Sequence, residues 1–455
     1  MEEASQKIKK KVDESIFKAY DVRGTYPEQI NDDITYLIGR AFVVFLKCKE
    51  VVIGRDARTS SPFLYKSLIK GITDQGADVI DIGLATTPMF YFSIANYNHE
   101  AGIMITASHN PKEYNGIKFC REKAIPISME TGLADIKEIA KRGNFPKSTK
   151  KGKVTKENPL NDYSKKVLSF AKDIKKMKIV VDAGNGMAPI VFSKIEKKLP
   201  IKAIKLFFDI DCTFPNHEAN PIKPETLKVL REKVVEEKAD MGVAFDGDAD
   251  RIGFIDEKGE IIPNDLITAL IADYLLEENK GEKILYEVRS SWIVRDTIKK
   301  RGGVPVLWKA GHSLIKEKMR KENILFGGEK SGHYFYRDFW YADSAMITFV
   351  MMLNILSSRG KSLSELIAPL KIYFDSGEIN FEVRDKDGAI KAVEKEFKNG
   401  KVMHLDGLTV EFDDWWFNLR KSNTEPLIRL NLEAKTEKKM NEMREKIKKI
   451  VKGFE

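Results

Sequence analysis

AGIMITASHNPKEYNGIKF, residues Ala101–Phe119, changes character halfway along. Ile103-Met104-Ile105 is a short apolar run of the kind a buried parallel strand shows, and Thr106-Ala107-Ser108-His109-Asn110-Pro111 follows it with polar, turn-forming side chains. Ser108 therefore falls just past a strand end, which is where ligands bind in an open α/β sheet. A hydroxyl held there beside an imidazole and an amide is a candidate nucleophile. The same residue types also make ordinary turns, so this stretch alone leaves both readings open.

Upstream, the strand Val51-Val52-Ile53 runs into Gly54-Arg55-Asp56, a helical pattern spans Phe63 to Ile72, a second strand covers Ala77–Asp81, and a helix from about Met89 to Asn96 returns to Ile103. The order is β-α-β-α-β. It recurs from Ile179 to Phe245, ending at Asp246, and again from Ile284 to Phe326, ending at Gly327-Gly328-Glu329. Each copy's last strand opens into a polar loop: TASHNP, DGDADR and GEKSGH. Three loops at equivalent positions, all rich in reactive groups, are most simply explained by one shared active site. From about Tyr373 the pattern turns to alternating strands, such as Ile379–Val383, and closes with a helix carrying Met440, Met443, Ile447 and Val451 on one face. The expected architecture is three tandem α/β domains with mixed sheets and a smaller α+β domain, divided at 1–155, 156–260, 261–370 and 371–455. The lysine-rich run Arg142–Lys156 reads as a solvated connection between the first two.

The whole-chain properties narrow the functional classes. With 455 residues, 42% hydrophobic and 10% aromatic, each domain can bury a core, and no apolar run approaches the roughly 20 residues that span a bilayer. The amino-terminal MEEASQKIKKKVDES is charged rather than signal-like, so a cytoplasmic protein without membrane partners is expected. Cys48, Cys120 and Cys212 are too dispersed for a disulfide framework or a CxxC metal site. The net charge of +9 is spread over helices among glutamates rather than gathered into a basic arm, which fits anionic small molecules and argues against nucleic acid. Trp415-Trp416-Phe417 reads as packing.

Asp246-Gly247-Asp248-Ala249-Asp250-Arg251 sets three carboxylates at alternate positions, a density of hard oxygen ligands that suits Mg²⁺, with Arg251 placed to hold a phosphate. In GEKSGH, Glu329 and Ser331 can bond adjacent hydroxyls of a sugar. Arg420-Lys421-Ser422-Asn423-Thr424-Glu425-Pro426 combines cations with hydroxyl, amide and backbone donors and can cradle a phosphate, with Arg429 assisting. Lys309–Ser313 precedes a helix whose amino terminus favours anions, making Gly311 and His312 further sugar or phosphate contacts, with Ser313 open to a capping role. Near the amino terminus, FKAYDVRG (Phe17–Gly24) packs Tyr20, Asp21 and Arg23 together; Arg23 fits either an anion contact or a surface ion pair.

With TASHNPKEYNGIKF, DGDADR, GEKSGH and RKSNTEP in this order, the chain resembles the α-D-phosphohexomutase family over essentially its whole length, and FKAYDVRG is similar to the opening of its phosphomannomutase/phosphoglucomutase branch. The resemblance implies a heart-shaped, four-domain enzyme with a central cleft. It implies that Ser108 carries a phosphoryl group, that Mg²⁺ bridges this group to Asp246, Asp248 and Asp250, and that His109 and Arg251 attend it. Lys118 would help proton transfer, and Tyr20 and Arg23 lie in the matching opening segment. Glu329 and Ser331 would hold sugar hydroxyls; Arg420, Ser422, Asn423 and Thr424 would hold the phosphate not being transferred. The implied reaction interconverts hexose 1-phosphate and hexose 6-phosphate of glucose or mannose through a hexose 1,6-bisphosphate, by a monomer or homodimer. Arg289 departs from the branch, where lysine is common. Phosphoglucosamine mutase is an alternative, and a serine- and metal-dependent sugar phosphatase a more distant one.

Overall fold

A computed structural model describes residues 12–421 and 427–454, which fold as two compact units. The first comprises the residues preceding Pro263 together with Ser331–Leu363; the second comprises Pro263–Lys330 and the residues from Ser364 onward.

In the first unit, β1 (Val22–Thr25), β2 (Glu50–Arg55), β3 (Asp78–Leu84), β4 (Ala101–Ile105), β5 (Tyr114–Arg121) and β6 (Val154–Lys156) form one sheet in the order β1-β5-β4-β2-β3-β6. β2 lies parallel to β3 on one side and to β4 on the other, whereas β5 runs antiparallel to both β4 and β1. The second sheet repeats this plan. β7 (Met177–Asp182) is flanked in parallel by β8 (Ile201–Leu206) and β9 (Met241–Phe245), and β10 (Ile252–Asp256) returns antiparallel beside β9 before β11 (Ile261–Ile262). Among the parallel strands opening each module, β2-β3-β4 and β7-β8-β9, the chain adds the second on one side of the first and the third on the other. The carboxyl ends of β4 and β9 therefore lie beside a switch point, where an open sheet leaves a crevice. All five residues of β4 and all five of β9 are buried, as their unbroken apolar runs require. Helix Asp32–Leu46 covers one face of the first sheet, with Phe42 stacked on Phe119 of β5 at 5.7 Å.

Two features differ from the sequence reading. TASHNP and DGDADR do not end their modules; each is the turn of a hairpin whose return strand, β5 or β10, completes the mixed sheet. And the connection Arg142–Lys156 ends in β6, parallel to β3, with all three residues exposed. Lysine-rich sequence suits such a sheet edge because its charge discourages further strand pairing.

The second unit opens with β12 (Lys283–Glu287), parallel to β13 (Val304–Trp308) and β14 (Phe326–Gly328), so the third module begins as the others do. The antiparallel pair β15 (Tyr334–Tyr336) and β16 (Ala342–Asp343) belongs to the first unit. The carboxy-terminal sheet is wholly antiparallel, in the order β17 (Phe374–Glu382), β21 (Leu427–Ala434), β20 (Trp415–Lys421), β19 (Leu408–Glu411), β18 (Lys401–Met403). Met440, Met443, Ile447 and Val451 of helix Glu437–Lys452 are buried against it. Trp415 and Phe417 face the same core, so this aromatic run is packing. Among the described residues, no helix is long and apolar enough to cross a membrane.

Glu433 of β21 ties the antiparallel sheet to the third α/β module. Its Oε1 accepts the Trp292 backbone N–H (2.9 Å), at the start of helix Trp292–Lys300, and the Trp416 indole N–H (3.0 Å). Burial pushes this carboxyl from an ordinary 4.5 up to about 7, more than its hydrogen bonds pull it down; Asp265 and the Tyr373 hydroxyl are the other titratable groups around it. The folded protein thus keeps a proton that the unfolded chain releases at lower pH. This contribution to stability is complete below about pH 4.5 and is lost as pH rises through about 7. Glu433→Gln keeps the accepting oxygen and abolishes the titration. Calorimetric unfolding at pH 5 and pH 8 is expected to show the variant gaining on the parent by on the order of 2 kcal/mol between the two. A gap that does not change with pH would contradict this.

Candidate active site

Ser108 sits at φ 53° in the left-handed region, is almost fully buried, and follows directly on the buried end of β4. A non-glycine residue holds that conformation only when its surroundings enforce it. The enforcement comes from Thr106, whose Oγ1 accepts the Ser108 N–H at 2.9 Å, and above all from Arg58. Arg58 is 1% exposed, and its Nη2 donates to the carbonyls of Ser108 (2.9 Å) and Asn110 (2.7 Å), while Nη1 donates to those of Pro111 (2.7 Å) and Tyr114 (3.0 Å). Asp56 orients the guanidinium through Nε (3.2 Å) and is itself fixed by the Ser61 hydroxyl (2.5 Å). One planar fork thus holds four carbonyls of the loop, which an ammonium could not do. The sequence reading stopped at Asp56 and missed Arg58; its one available sign was a second arginine just past a strand end.

The Ser108 Oγ donates to Asp246 Oδ2 at 2.7 Å and lies 3.2 Å from His109 Nδ1. Burial, reinforced by the Arg251 and Arg23 guanidinium groups, holds His109 well below the usual imidazole range, so it is neutral and resists protonation. Arg23 donates through Nε to Asp21 (2.8 Å) and through Nη1 to the Asn110 side chain (2.5 Å), which places it on the serine loop rather than in a detached surface pair. Tyr20 is half-buried just before β1.

DGDADR folds back on itself. Asp246 Oδ1 accepts the backbone N–H groups of Asp250 and Arg251, both at 3.1 Å, and Ala249 takes φ 57° to close the turn. Gly247 is required by proximity, since a Cβ there would lie 2.4 Å from the Ser108 carbonyl oxygen. Thr87, at the start of helix Thr87–Asn96, donates its hydroxyl to Asp248 Oδ2 (2.6 Å), and Lys118 of β5 donates to the same oxygen (2.8 Å) and to Asp250 Oδ2 (2.6 Å). Burial alone would lower the Lys118 ammonium, but the Asp248 and Asp250 carboxylates outweigh it and hold the charge. Asp246 is pushed well up by burial and by repulsion from Asp250 and Asp248; Asp250 is buried as deeply, yet Lys118 and His333 hold it down.

These residues fit a hard divalent cation. Oxygens of Asp246, Asp248 and Asp250 lie within 4.8 Å of one another, all three residues are buried, and Asp248 Oδ1 has no hydrogen-bond donor among the described residues. An oxygen-only donor set of this kind suits Mg²⁺.

His333, the last residue of GEKSGH, was not singled out from sequence. Its Nδ1 lies 2.9 Å from the Ser331 hydroxyl, and its Nε2 lies 3.3 Å from both Asp250 Oδ1 and Arg251 Nε. The first unit therefore gathers Ser108, His109, Arg23, Lys118, the three aspartates, Arg251, Ser331 and His333. Gly311, His312, Glu329, Arg420 and Arg429 belong to the second unit. There the Gly311 N–H donates to Glu329 Oε1 (3.1 Å), and Arg289 lies 3.5 Å from the same oxygen while bonding Glu287 at 2.7 Å. Helix His312–Glu322 is capped by Gly311, at φ 126°, so Ser313 has no capping role. Ser422, Asn423 and Thr424 lie outside the described residues.

A buried, strained serine against an acidic loop, on serial α/β modules with an antiparallel carboxy-terminal domain, defines a phosphosugar mutase fold. The chain matches all four domains of one family: phosphoglucomutase/phosphomannomutase α/β/α domain I over residues 14–147, domain II over 160–259, domain III over 263–373, and the C-terminal domain over 378–450. It belongs to the phosphoglucomutase/phosphomannomutase family. It is 42% identical to a phosphomannomutase of Escherichia coli over 440 residues, covering 94% of this chain and 96% of that protein. It is 38% identical to a Xanthomonas campestris protein named for phosphohexose mutases, over 96% of this chain and 99% of that one. The crystal structure of a phosphoglucomutase/phosphomannomutase family protein from Burkholderia thailandensis superimposes with a TM-score of 0.90 at 32% identity, covering 97% of this chain and 98% of the other.

Arg58→Lys keeps the charge and loses the fork. The expected result is a lowered thermal midpoint and a roughly 10²-fold fall in the rate of chemistry at Ser108, the order that a small misplacement of a reacting atom produces. An unchanged rate at full occupancy would show that the loop holds its shape without Arg58.

Proposed function

We propose that this chain is a hexose-phosphate mutase that interconverts the 1- and 6-phosphates of glucose and mannose through phosphorylated Ser108 and a hexose 1,6-bisphosphate. The observation that carries this is the 2.7 Å contact between the Ser108 hydroxyl and Asp246, inside a loop of three buried carboxylates that needs a cation. The four segments 1–155, 156–260, 261–370 and 371–455 act as the serine, metal, sugar and phosphate modules.

Asp246, Asp248 and Asp250 would hold Mg²⁺, which when bound neutralises charge on the phosphoryl oxygens. Ser108 gives its phosphoryl group to a sugar hydroxyl: the Ser108 O–P bond breaks, the sugar O–P bond forms, and the proton given up by the sugar hydroxyl is taken up on the Ser108 oxygen, with the reverse on rephosphorylation. Asp246 and His109 stand at the Ser108 oxygen, Asp246 in direct hydrogen-bond contact with it, and neutral His109 leaves no added positive charge to compete with Asp246 for the hydroxyl. Arg251 and Arg23 bring positive charge to the transferring group. Lys118 stays ionised between two carboxylates, which supports a charge-balancing part alongside the proton-transfer part the family resemblance implies. Glu329 and Ser331 hold sugar hydroxyls, with Gly311 bonded to Glu329 and His312 next in the chain, and Arg420 and Arg429 hold the phosphate that is not being transferred. Glucose and mannose differ in the orientation of one hydroxyl, which a pair of contacts to neighbouring hydroxyls need not distinguish strongly.

Coupled assays on glucose, mannose and glucosamine 1-phosphates, with Mg²⁺ and a trace of bisphosphate, test this directly. Formation of glucose and mannose 6-phosphates is expected, with loss of turnover on chelation and in Ser108→Ala. A glucosamine-only activity would favour the neighbouring branch. Sustained release of inorganic phosphate without a 6-phosphate product would establish a phosphatase.

A further inference from the structure

Three guanidinium groups in the second unit converge on one carboxylate. Glu378 Oε1 lies 3.2 Å from Arg429 Nη1, and its Oε2 lies 3.5 Å from Arg420 Nη2 and 3.9 Å from Arg289 Nη1. Arg420 and Arg429 face each other on β20 and β21, and Arg289 comes from the α/β module. Arg420 is buried, its Nε has no hydrogen-bond partner among the described residues, and burial together with repulsion from Arg289 lowers its affinity for its own proton. Such a cluster needs an anion.

The backbone is bent to deliver it. The pairing of β17 with β21 slips between Asp375 and Glu378, and Gly377 inside this bulge takes φ 68° with open space where a Cβ would be. The glycine is there for its conformation, since nothing crowds it. Asp375 fixes one side of the bulge by pairing with Lys330 at 2.7 Å, and the Ser376 hydroxyl accepts the Leu432 N–H at 3.1 Å on the other. A bulge of this kind re-aims one side chain, here Glu378.

We infer that Glu378 is a specificity-determining stand-in anion: it occupies the arginine cluster until a phosphate carried on a sugar displaces it. The inference rests on the assignment of Arg420 and Arg429 to the non-transferred phosphate. Within 4 Å of the three arginines, Glu287, Glu329 and Glu378 already balance Arg289, Arg420 and Arg429, and Asp406 adds further negative charge near Arg420, so an incoming dianion gains only by driving Glu378 away. A free phosphate must meet that demand alone, whereas a sugar phosphate brings the binding energy of its hydroxyls as well. The cluster thereby rejects inorganic phosphate in favour of phosphosugars.

The probe is inorganic phosphate, titrated calorimetrically into the full chain without Mg²⁺, using the parent, Glu378→Gln and Arg420→Ala. Removing a like charge beside the bound dianion is expected to tighten binding by about tenfold or more in Glu378→Gln, while Arg420→Ala loses binding. Equal or weaker binding in Glu378→Gln, or no binding in either protein, overturns the inference. Parent-like binding in Arg420→Ala removes the phosphate assignment as well, which separates the two failures. Should Glu378→Gln not fold, Glu378→Asp withdraws the carboxylate by one methylene and is expected to bind phosphate more tightly than the parent; equal or weaker binding there also overturns the inference.

Discussion

Burying several like charges in one loop is tolerable only if opposite charge is buried with them, and the first unit is built around that constraint. Asp246, Asp248 and Asp250 are fully enclosed, and Lys118 reaches two of them at 2.8 and 2.6 Å. Lys118 belongs to the hairpin that carries the serine, so balancing the metal loop's charge also docks that loop onto Ser108. Thr87 adds a neutral bond from a helix start, and Gly247 lets the two backbones touch. Lys118 bonds one oxygen each of Asp248 and Asp250, and Asp248 Oδ1 is left without a donor among the described residues. Charge is thus partly but not wholly balanced, the condition under which a cation adds stability and does not merely replace an existing bond.

The second unit meets the same constraint with the sign reversed. Its excess is guanidinium, and carboxylates supply the compensation: Glu287 bonds Arg289 through both nitrogen positions that face it, and Glu378 serves three arginines at longer distances, 3.2 to 3.9 Å. The difference in length matters. A close charge-assisted contact such as Glu287 with Arg289 is structural, whereas a carboxylate held loosely by several partners and partly open to water is one that can leave.

Much of this was legible from sequence because it is local. Ser108 is recognisable from an unbroken apolar run that stops abruptly, and the buried strands β4 and β9 follow directly from such runs. The aspartates announce themselves by their spacing. What escaped notice depends on partners remote in the chain. Arg58 looks like any surface arginine until the loop 50 to 56 residues later wraps its guanidinium. Lys118 was reached only through the family resemblance, since its carboxylates lie 130 and 132 residues away, and Thr87, 161 residues from its partner, was missed. β5 was overlooked as a sheet member for the same reason: a lysine inside a strand reads as exposed unless its compensating charge is known.

That asymmetry bears on how sugar preference could be encoded. Residues that define the reaction carry their chemistry on their own side chains and sit in short, dense loops. Those that set how strongly a ligand is held act through neighbours, as Glu378 acts through Arg420 and Arg429 and as Glu287 acts through Arg289. The departure from lysine at Arg289 is informative in this light. A guanidinium can face Glu287, Glu329 and Glu378 in one plane, whereas an ammonium offers a single charged point. Arginine at this position therefore links Glu329 to Glu378 and the arginines around it through one rigid group, so that a displacement of either carboxylate is felt at the other.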